Sequence, residues 1–177
     1  MKLVILDRDG TINHDSDAHI KSPAEWRPLD GSLEAIARLV QADYKIVVAT
    51  NQSGIARGLF DTTTLIAIHD VLQRALGQVG GRIDAFFFCP HAADAGCQCR
   101  KPQPGMLLEA GRRFNVALDE TYMVGDALRD LQAAAAAGAR PVLVLTGKGK
   151  KTQKEGKLPP GTAVFTDLAA FAQHLAP

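Results

Sequence analysis

The sequence predicts an α/β fold in which a Rossmann-like parallel sheet is sandwiched between helices. Short apolar segments alternate with amphipathic segments along nearly the whole chain, and such alternation favours parallel strands with helices on both faces. Hydrophobic residues make up 46% of the chain and charged residues 22%, a composition typical of globular proteins and not of disordered or fibrous ones. With 177 residues, we expect one domain spanning 1–177.

The first half of the chain contains three predicted strands and two helices. Leu3–Leu6 is a short apolar run that contains β-branched residues, and it predicts a buried strand. Segment 32–42 repeats apolar residues at helical spacing, and Lys45–Ala49 predicts the second strand. Asp61 can cap the helix that follows, and Ile83–Phe88 predicts the third strand.

The second half repeats the same alternation. It contains a helix beginning near Pro104, a strand at Thr121–Val124, an alanine-rich helix at 127–137 ended by Gly138, strands at Val142–Leu145 and Ala163–Phe165, and a final helix from Leu168. The lysine-rich segment 148–157 is predicted to be a solvated loop. Only a short connection separates the first strand from the first helix, so we expect no large cap domain.

Charge and hydropathy exclude several classes of protein. The 20 basic and 19 acidic residues give a net charge of +1, which argues against a nucleic-acid partner. No apolar run is long enough to span a membrane, and the amino terminus meets charged residues too early for a signal peptide. We therefore expect a cytoplasmic protein, monomeric and without a membrane partner.

Polar residues follow four of the predicted strands. Asp7 and Asp9 come after the first strand, Thr50 after the second, Lys101 beyond the third and Asp126 after the fourth. The carboxyl ends of parallel strands meet at one edge of the sheet, where such folds bind their ligands. Carboxylates there suit Mg²⁺, and the lysine and hydroxyl can hold phosphoryl oxygens, so the edge predicts phosphoryl transfer on a small-molecule substrate.

The three cysteines of the chain lie within one short segment. Cys89, His91, Cys97 and Cys99 supply three thiolates and one imidazole, a donor set that suits tetrahedral Zn²⁺. With four protein ligands, the predicted zinc site is closed and structural. Because Cys99 directly precedes Arg100 and Lys101, a zinc-binding loop would fix the position of both cations.

These motifs resemble those of the haloacid dehalogenase superfamily. They are Asp-Xaa-Asp-Gly-Thr at 7–11, Thr50, Lys101, and Gly125-Asp126 with Asp130 four residues on. The resemblance implies an HAD-like phosphatase in which Asp7 is the nucleophile and Asp9 the general acid and base. It further implies Mg²⁺ bound by the side chains of Asp7 and Asp126 and the backbone carbonyl of Asp9, with Thr50 and Lys101 stabilising the phosphoryl group.

The zinc loop resembles one branch of that superfamily, which holds heptose bisphosphate phosphatases and histidinol-phosphate phosphatases. Segment 50–58, Thr-Asn-Gln-Ser-Gly-Ile-Ala-Arg-Gly, is similar to the heptose enzymes, whereas the five-residue spacer between His91 and Cys97 is closer to the histidinol enzymes. The heptose resemblance implies removal of the C7 phosphate of D-glycero-D-manno-heptose 1,7-bisphosphate, a step toward ADP-heptose and lipopolysaccharide. The implied substrate contacts are Asp15, Ser16, Asp17, Ala18, Thr50, Asn51, Gln52, Ser53, Arg100 and Lys101. A histidinol-phosphate phosphatase is the alternative.

Two other classes share parts of this pattern. A signalling receiver also places acids, a hydroxyl and a lysine around Mg²⁺, but Asp9 is positioned to drive turnover, and a zinc loop has no place in that scheme. A zinc-dependent nucleic-acid module would need a positive charge excess and more aromatic residues than this chain has. Turnover of a phosphate ester separates the three classes.

Overall fold

The computed structural model describes residues 1–177 and contains one six-stranded parallel sheet covered by helices on both faces. The strands are β1 (Lys2–Leu6), β2 (Tyr44–Asn51), β3 (Ala85–Cys89), β4 (Tyr122–Gly125), β5 (Arg140–Val144) and β6 (Ala163–Phe165). The helices are α1 (Ser32–Gln41), α2 (Thr62–Gln78), α3 (Gly105–Phe114), α4 (Leu128–Ala137), α5 (Gly149–Glu155) and α6 (Leu168–Leu175). The predicted α/β class is confirmed, and no large cap is present.

The strand order β3-β2-β1-β4-β5-β6 makes β1 and β4 central neighbours. The chain switches direction across the sheet between these two strands, and a ligand crevice forms at such a switch point. The carboxyl ends of β1, β2 and β4 therefore lie side by side. This register places the residues that follow these strands within reach of one another.

Alternation along β1 divides the core into two layers. Val4 and Leu6 join the larger cluster, which includes Ile36, Leu72 and Phe171 from α1, α2 and α6. The intervening residues of β1 point to the other face and pack in the smaller cluster, whose helical members come from α3 and α4. This two-sided burial explains why β1 reads as a continuous apolar run and not as an alternating one.

Local signals account for several helix ends. Asp61 caps α2 as predicted, because its carboxylate accepts a hydrogen bond of 2.8 Å from the backbone N–H of Thr64. The alanine-rich helix α4 ends just before Gly138, also as predicted. Pro104 immediately precedes α3, which begins at Gly105, close to the predicted start.

Segment 148–157 is largely exposed to solvent, as predicted, but the prediction of a loop is wrong for most of it, because Gly149–Glu155 forms α5. The helix is anchored by Thr152, which is buried and whose hydroxyl donates a 2.8 Å hydrogen bond to the carbonyl of Asp126. The lysines gave no apolar period, so this polar anchor was invisible in the sequence. None of the six helices is both long and apolar enough to cross a membrane.

Candidate active site

A buried ion cluster forms the floor of the site at the carboxyl ends of β1, β2 and β4. The ammonium of Lys101 donates hydrogen bonds of 2.9 Å to Asp7 Oδ1 and 2.7 Å to the carbonyl of Ala49. It also lies 2.7 Å from Asp130 Oδ1. Burial alone would lower the pKa of Lys101, but Asp130 and Asp7 outweigh it and raise that pKa. Lys101 therefore stays positively charged beside Asp7.

Three carboxylates meet beside this lysine. Asp7, Asp126 and Asp130 each place an oxygen within 4.8 Å of the others. Burial, followed by repulsion from neighbouring carboxylates, raises the pKa of Asp7 to about 6 and that of Asp126 to about 7. Like charges held this close in a buried site favour a cation between them. Both carboxylate oxygens of Asp130 already have partners: Oδ1 lies beside Lys101, and Oδ2 accepts from the backbone N–H of Ala127 at 3.0 Å. Asp7 and Asp126 are therefore the available oxygen ligands.

Two glycines allow the backbone to approach Asp126 closely. A Cβ at Gly10 or at Gly147 would collide with Asp126 Oδ2. Both glycines also have positive φ, +83° and +52°, a backbone conformation that other residues rarely adopt. The backbone therefore encloses the Asp126 carboxylate tightly, and the donor set fits a small hard cation such as Mg²⁺.

The carboxylate of Asp9 lies outside this cluster and is held in place by three side chains. Arg8 donates to it at 2.9, 3.0 and 3.1 Å, Asn13 at 2.8 Å and Gln52 at 2.9 Å. Burial alone would raise the pKa of Asp9, but Arg8 and these hydrogen bonds outweigh it and lower that pKa. The Asp9 side chain keeps 20% of its surface exposed, so it can meet a substrate.

Arg8 was not identified from the sequence as a site residue. It is fully buried, and its Nη1 atom lies 3.3 Å from His69 Nε2 on α2. Burial, then the nearby Arg8 charge, lowers the pKa of His69 to about 3, so a neutral imidazole faces the guanidinium. The two residues are 61 positions apart, and no local pattern links them.

The end of β2 supplies three polar side chains with different contacts. Thr50 is buried, and its hydroxyl accepts a 2.9 Å hydrogen bond from Gln52. Asn51 grips the backbone of Lys101, donating to its carbonyl and accepting from its N–H, both at 3.0 Å. Asn51 thus ties the end of β2 to the loop that carries the lysine.

A cleft of about 260 Å³ opens above this floor. Its walls are polar except for Ile20, and they consist of Asp7, Asp9, Asp15, Ser16, Asp17, His19, Ile20, Asn51, Gln52, Ser53, Arg57, Arg100, Arg129 and Lys148. Of the substrate contacts predicted in segment 15–18, Asp15, Ser16 and Asp17 line the cleft and Ala18 does not. Thr50 and Lys101 lie beneath its surface.

Arg129 and Lys148 were not predicted as site residues. Arg129 follows Asp126 by three positions, in the first turn of α4, so reading one turn further after the fourth strand would have found it. Lys148 was assigned to a solvated loop, but its backbone N–H donates a 2.7 Å hydrogen bond to Asp126 Oδ2 and its ammonium lies 3.0 Å from Asp15. Lys148 thereby links segment 15–18 to the carboxylate cluster.

The predicted zinc ligands come together beside the cleft. Cys89, His91, Cys97 and Cys99 each place one ligand atom within 4.8 Å of the others. The Cys89 sulfur lies 3.7 Å from that of Cys97 and 3.2 Å from that of Cys99, and the Cys99 sulfur lies 3.3 Å from His91 Nδ1. Zn–S bonds of about 2.3 Å in a tetrahedron place sulfurs roughly 3.8 Å apart, so the cluster fits Zn²⁺.

Comparison with known proteins agrees with this geometry. The HAD-hydrolase-like family matches residues 98–171. Two relatives named D-glycero-beta-D-manno-heptose-1,7-bisphosphate 7-phosphatase, from Bordetella bronchiseptica and Pseudomonas putida, are 63% and 51% identical. Each match covers 99% of this chain, with 98% of the Bordetella protein and 99% of the Pseudomonas protein.

A solved structure is similar over the same length. The crystal structure of D,D-heptose 1,7-bisphosphate phosphatase from B. bronchiseptica, complexed with magnesium and phosphate, matches with a TM-score of 0.97 at 63% identity, covering 99% of this chain and 98% of that one. The strand-end motifs, the fold and these relatives agree. The chain belongs to the haloacid dehalogenase superfamily, in the family of the heptose-1,7-bisphosphate 7-phosphatases, and is a phosphoric monoester hydrolase.

Proposed function

We propose that the protein is a Mg²⁺-dependent phosphatase that removes the C7 phosphate of D-glycero-β-D-manno-heptose 1,7-bisphosphate through an aspartyl-phosphate intermediate. The observation that carries the reaction is the pairing of Asp7 with buried Lys101 at 2.9 Å beneath a polar cleft. The substrate and its anomer follow the names of relatives up to 63% identical. The product would feed the synthesis of ADP-heptose for lipopolysaccharide.

Asp7 is the proposed nucleophile. Its free carboxylate oxygen attacks phosphorus while the bond from phosphorus to the sugar oxygen O7 breaks. Lys101, one of whose hydrogen bonds goes to Asp7 Oδ1, offsets negative charge on the transferring group. Thr50, on the neighbouring strand end, adds a hydroxyl donor to the same phosphoryl oxygens.

Asp9 is the proposed general acid and base. It gives a proton to O7 as the sugar leaves, and it then takes a proton from the water that attacks the aspartyl-phosphate, which releases inorganic phosphate and restores both aspartates. The contacts from Arg8, Asn13 and Gln52 favour the charged form of Asp9, which suits the second step. A bound phosphate dianion repels that charge and raises the pKa of Asp9, which suits the first step.

The proposed Mg²⁺ ligands are the side chains of Asp7 and Asp126 and the backbone carbonyl of Asp9. When bound, the metal supplies positive charge that neutralises phosphoryl oxygens. Lys148 fixes one oxygen of Asp126 through its backbone N–H at 2.7 Å. A backbone group thereby orients the carboxylate of Asp126, and the Lys148 side chain stays free for other contacts.

The proposed Zn²⁺ is structural. Cys89, His91, Cys97 and Cys99 would supply all four ligands of a tetrahedral ion and leave no position open for chemistry. The loop leads directly into Arg100 and Lys101, and Arg100 donates to the carbonyl of His91 at 3.4 Å. Bound zinc would therefore fix the positions of Arg100 and Lys101 relative to Asp7.

Phosphate release across a substrate panel tests this function. The panel holds the β and α anomers of heptose 1,7-bisphosphate, histidinol phosphate and fructose 6-phosphate, each assayed with Mg²⁺. We expect the highest kcat/KM for the β anomer, and Asp7→Asn should lower kcat at least a thousandfold while the protein stays folded by circular dichroism. Equal or faster hydrolysis of histidinol phosphate would reject the substrate, and near-normal turnover by Asp7→Asn would reject the mechanism.

A further inference from the structure

Helix α2 buries one polar side chain on an otherwise apolar face. The buried residues of this helix are Leu65, Ile68, His69, Leu72 and Leu76. A leucine at position 69 would extend the apolar stripe, whereas an imidazole brings two polar nitrogens into the core. Burying a polar group without a partner destabilises a fold, so the packing of α2 does not explain the histidine, and its contacts have to.

The polar contact of His69 is with Arg8. The guanidinium of Arg8 is fully buried and carries five N–H donors. Its Nε and Nη2 atoms donate to the carboxylate of Asp9 at distances between 2.9 and 3.1 Å. The one partner of Nη1 is His69 Nε2, at 3.3 Å. Without that nitrogen, a buried and charged donor group would be left unpaired, which is costly.

His69 can accept this hydrogen bond in only one form. Burial, followed by the charge of Arg8, lowers the pKa of His69 to about 3, so the ring is neutral near pH 7. A neutral imidazole carries its proton on one nitrogen and accepts at the other. Because Nε2 faces the N–H groups of Arg8, Nε2 is the acceptor and the proton is on Nδ1.

The imidazole ring is also fixed in its plane. It stacks on Phe86, with ring centroids 4.2 Å apart and an angle of 11° between the rings. Phe86 lies on β3, opposite Val48 of β2. A continuous series of contacts therefore runs from the sheet through His69 and Arg8 to the carboxylate of Asp9.

We infer that His69 is a positioning residue for the reaction: it accepts a hydrogen bond from Arg8 and thereby holds the guanidinium in the orientation that fixes the Asp9 carboxylate at the cleft. This inference rests on the proposed function, in which Asp9 is the general acid and base. Asn13 and Gln52 also donate to Asp9, at 2.8 and 2.9 Å. Loss of His69 should therefore loosen Asp9 without releasing it.

The competing role of His69 is to fill space between α2 and the sheet. In that role its replacement would lower stability and slow the hydrolysis of every phosphate ester by the same factor. In the positioning role, the loss falls on proton transfer to the leaving oxygen, so it depends on how much the leaving group needs a proton. The leaving-group dependence of the rate separates the two roles.

The variants separate the acceptor from the bulk of the side chain. His69→Leu keeps an apolar side chain of similar size and removes the acceptor. His69→Gln can place an amide oxygen near the position of Nε2, whereas the shorter amide of His69→Asn reaches only the position of Nδ1. Ile68→Val removes one buried methyl group from the neighbouring position and controls for destabilisation of α2.

The experiment measures single-turnover rates of the first step at saturating substrate, with Mg²⁺, for heptose 1,7-bisphosphate and for p-nitrophenyl phosphate. We expect His69→Leu and His69→Asn to slow the heptose bisphosphate about tenfold, because a small misplacement of a reacting group is costly. The p-nitrophenyl ester should lose less than about twofold, since its leaving group needs no proton. His69→Gln should recover most of the rate, and Ile68→Val should slow neither ester.

A measurement on the wild type does not depend on whether a variant folds. Nitrogen-15 NMR of the imidazole at pH 7 should find Nδ1 protonated and Nε2 unprotonated in His69. A proton on Nε2, in the neutral or the charged ring, would overturn the inference, because His69 could not then accept from Arg8.

Failure of the inference differs from failure of the proposed function. Equal slowing of both esters in His69→Leu and His69→Asn, or no slowing, would overturn the inference even if Asp9→Asn behaves as an acid variant should. A tenfold loss from His69→Leu that persists in the Asp9→Asn protein would do the same, because contacts that act through one group are not additive. If histidinol phosphate proves the better substrate, the proposed substrate is wrong, but the same leaving-group dependence with that ester still supports the positioning role.

Discussion

In the proposed mechanism, Asp9 acts as an acid although its surroundings favour its charged form. Arg8, Asn13 and Gln52 all donate to its carboxylate and hold it at the cleft. The contacts that position Asp9 therefore also lower its pKa, which opposes its role as an acid. The balance predicts that Asp9 matters most when the leaving group needs a proton.

Asp9→Asn should therefore slow poor leaving groups more than good ones. General acid catalysis by a positioned side chain contributes about 10²–10⁴-fold, so we expect a loss of that size with the heptose bisphosphate. With p-nitrophenyl phosphate, whose leaving group needs no proton, the first step should lose much less. Single-turnover rates with both substrates measure this, and equal losses in that step would contradict an acid role for Asp9.

His69 contacts Arg8, which in turn holds Asp9, and it makes the stability of the protein depend on pH. It is buried, stacks on Phe86 at 4.2 Å and approaches Arg8 at 3.3 Å. Its pKa is lowered to about 3, mainly by burial, whereas an unfolded histidine titrates near 6.5. Between these values the unfolded chain binds a proton that the native protein does not, so stability falls as the pH falls below about 6.5.

We expect this group to remove about 2 kcal/mol of unfolding free energy between pH 7 and pH 5. Urea unfolding of wild type and His69→Gln at both pH values, in EDTA, isolates the contribution. The baseline of His69→Gln is lower, so the comparison is between the two slopes. Parallel slopes would mean that His69 takes up a proton as readily in the native protein as in the unfolded chain, and would contradict its lowered pKa.

The residue scale also shows what a sequence can reveal about a site. Asp7, Thr50, Lys101 and Asp126 could be identified because each lies at or beyond the carboxyl end of a buried strand, and parallel topology brings strand ends together. The contact of Arg8 with His69 could not, because it depends on how α2 packs over the sheet. Arg129 lay within reach of the same strand-end reasoning, one helical turn further along the chain.

Among the elements, the loop with the Cys/His cluster connects two parts of the site. Its first ligand, Cys89, ends β3, and the backbone N–H of Gln52 donates to the carbonyl of Cys89 at 2.8 Å. Its last ligand, Cys99, lies two residues before Lys101. Order in this loop therefore fixes the lysine relative to the end of β2.

Cys97→Ala should release zinc and disturb this connection. We expect about 1 zinc per chain in wild type under the four-ligand geometry, less in the variant, a lower melting temperature and a kcat reduced through Lys101. Gln98→Ala is the matched control, because Gln98 is exposed between two ligands and keeps the backbone carbonyl that Gly105 contacts. Metal analysis that finds no zinc in reduced wild type, or a Cys97→Ala protein with normal activity and stability, would refute the structural role.

Element prediction succeeded where apolar residues mark burial and failed where polar contacts decide. The strands were predicted from short apolar runs, and α1 to α3 from apolar residues at helical spacing. Helix α5 was not, because it is short and held by the hydroxyl of Thr152 and the backbone of Lys148 against Asp126. The same polar contacts make α5 part of the site wall, a connection that an apolar pattern cannot report.

At the scale of the whole molecule, the geometry of the carboxylate cluster predicts that metal binding and stability are coupled. Asp7 and Asp126 are buried next to each other and to Asp130, and their raised pKa values reflect burial and this repulsion. A cation bound there relieves the repulsion in the native protein only, because the unfolded chain does not hold these residues together. Mg²⁺ should therefore stabilise the fold by mass action.

At a free Mg²⁺ concentration 100 times its Kd, the expected gain in unfolding free energy is about 2.7 kcal/mol. Urea unfolding without added Mg²⁺ and with increasing Mg²⁺ measures it, and activity lost in a brief EDTA treatment that leaves zinc bound should return with Mg²⁺ alone. Asp126→Asn removes one proposed ligand charge, so it should abolish most of the gain while raising stability without Mg²⁺, because the repulsion is already relieved. Asp119→Asn, an acid outside the cluster, is the matched control and should keep the full Mg²⁺ effect. Stabilisation of Asp126→Asn equal to that of wild type would place the metal elsewhere.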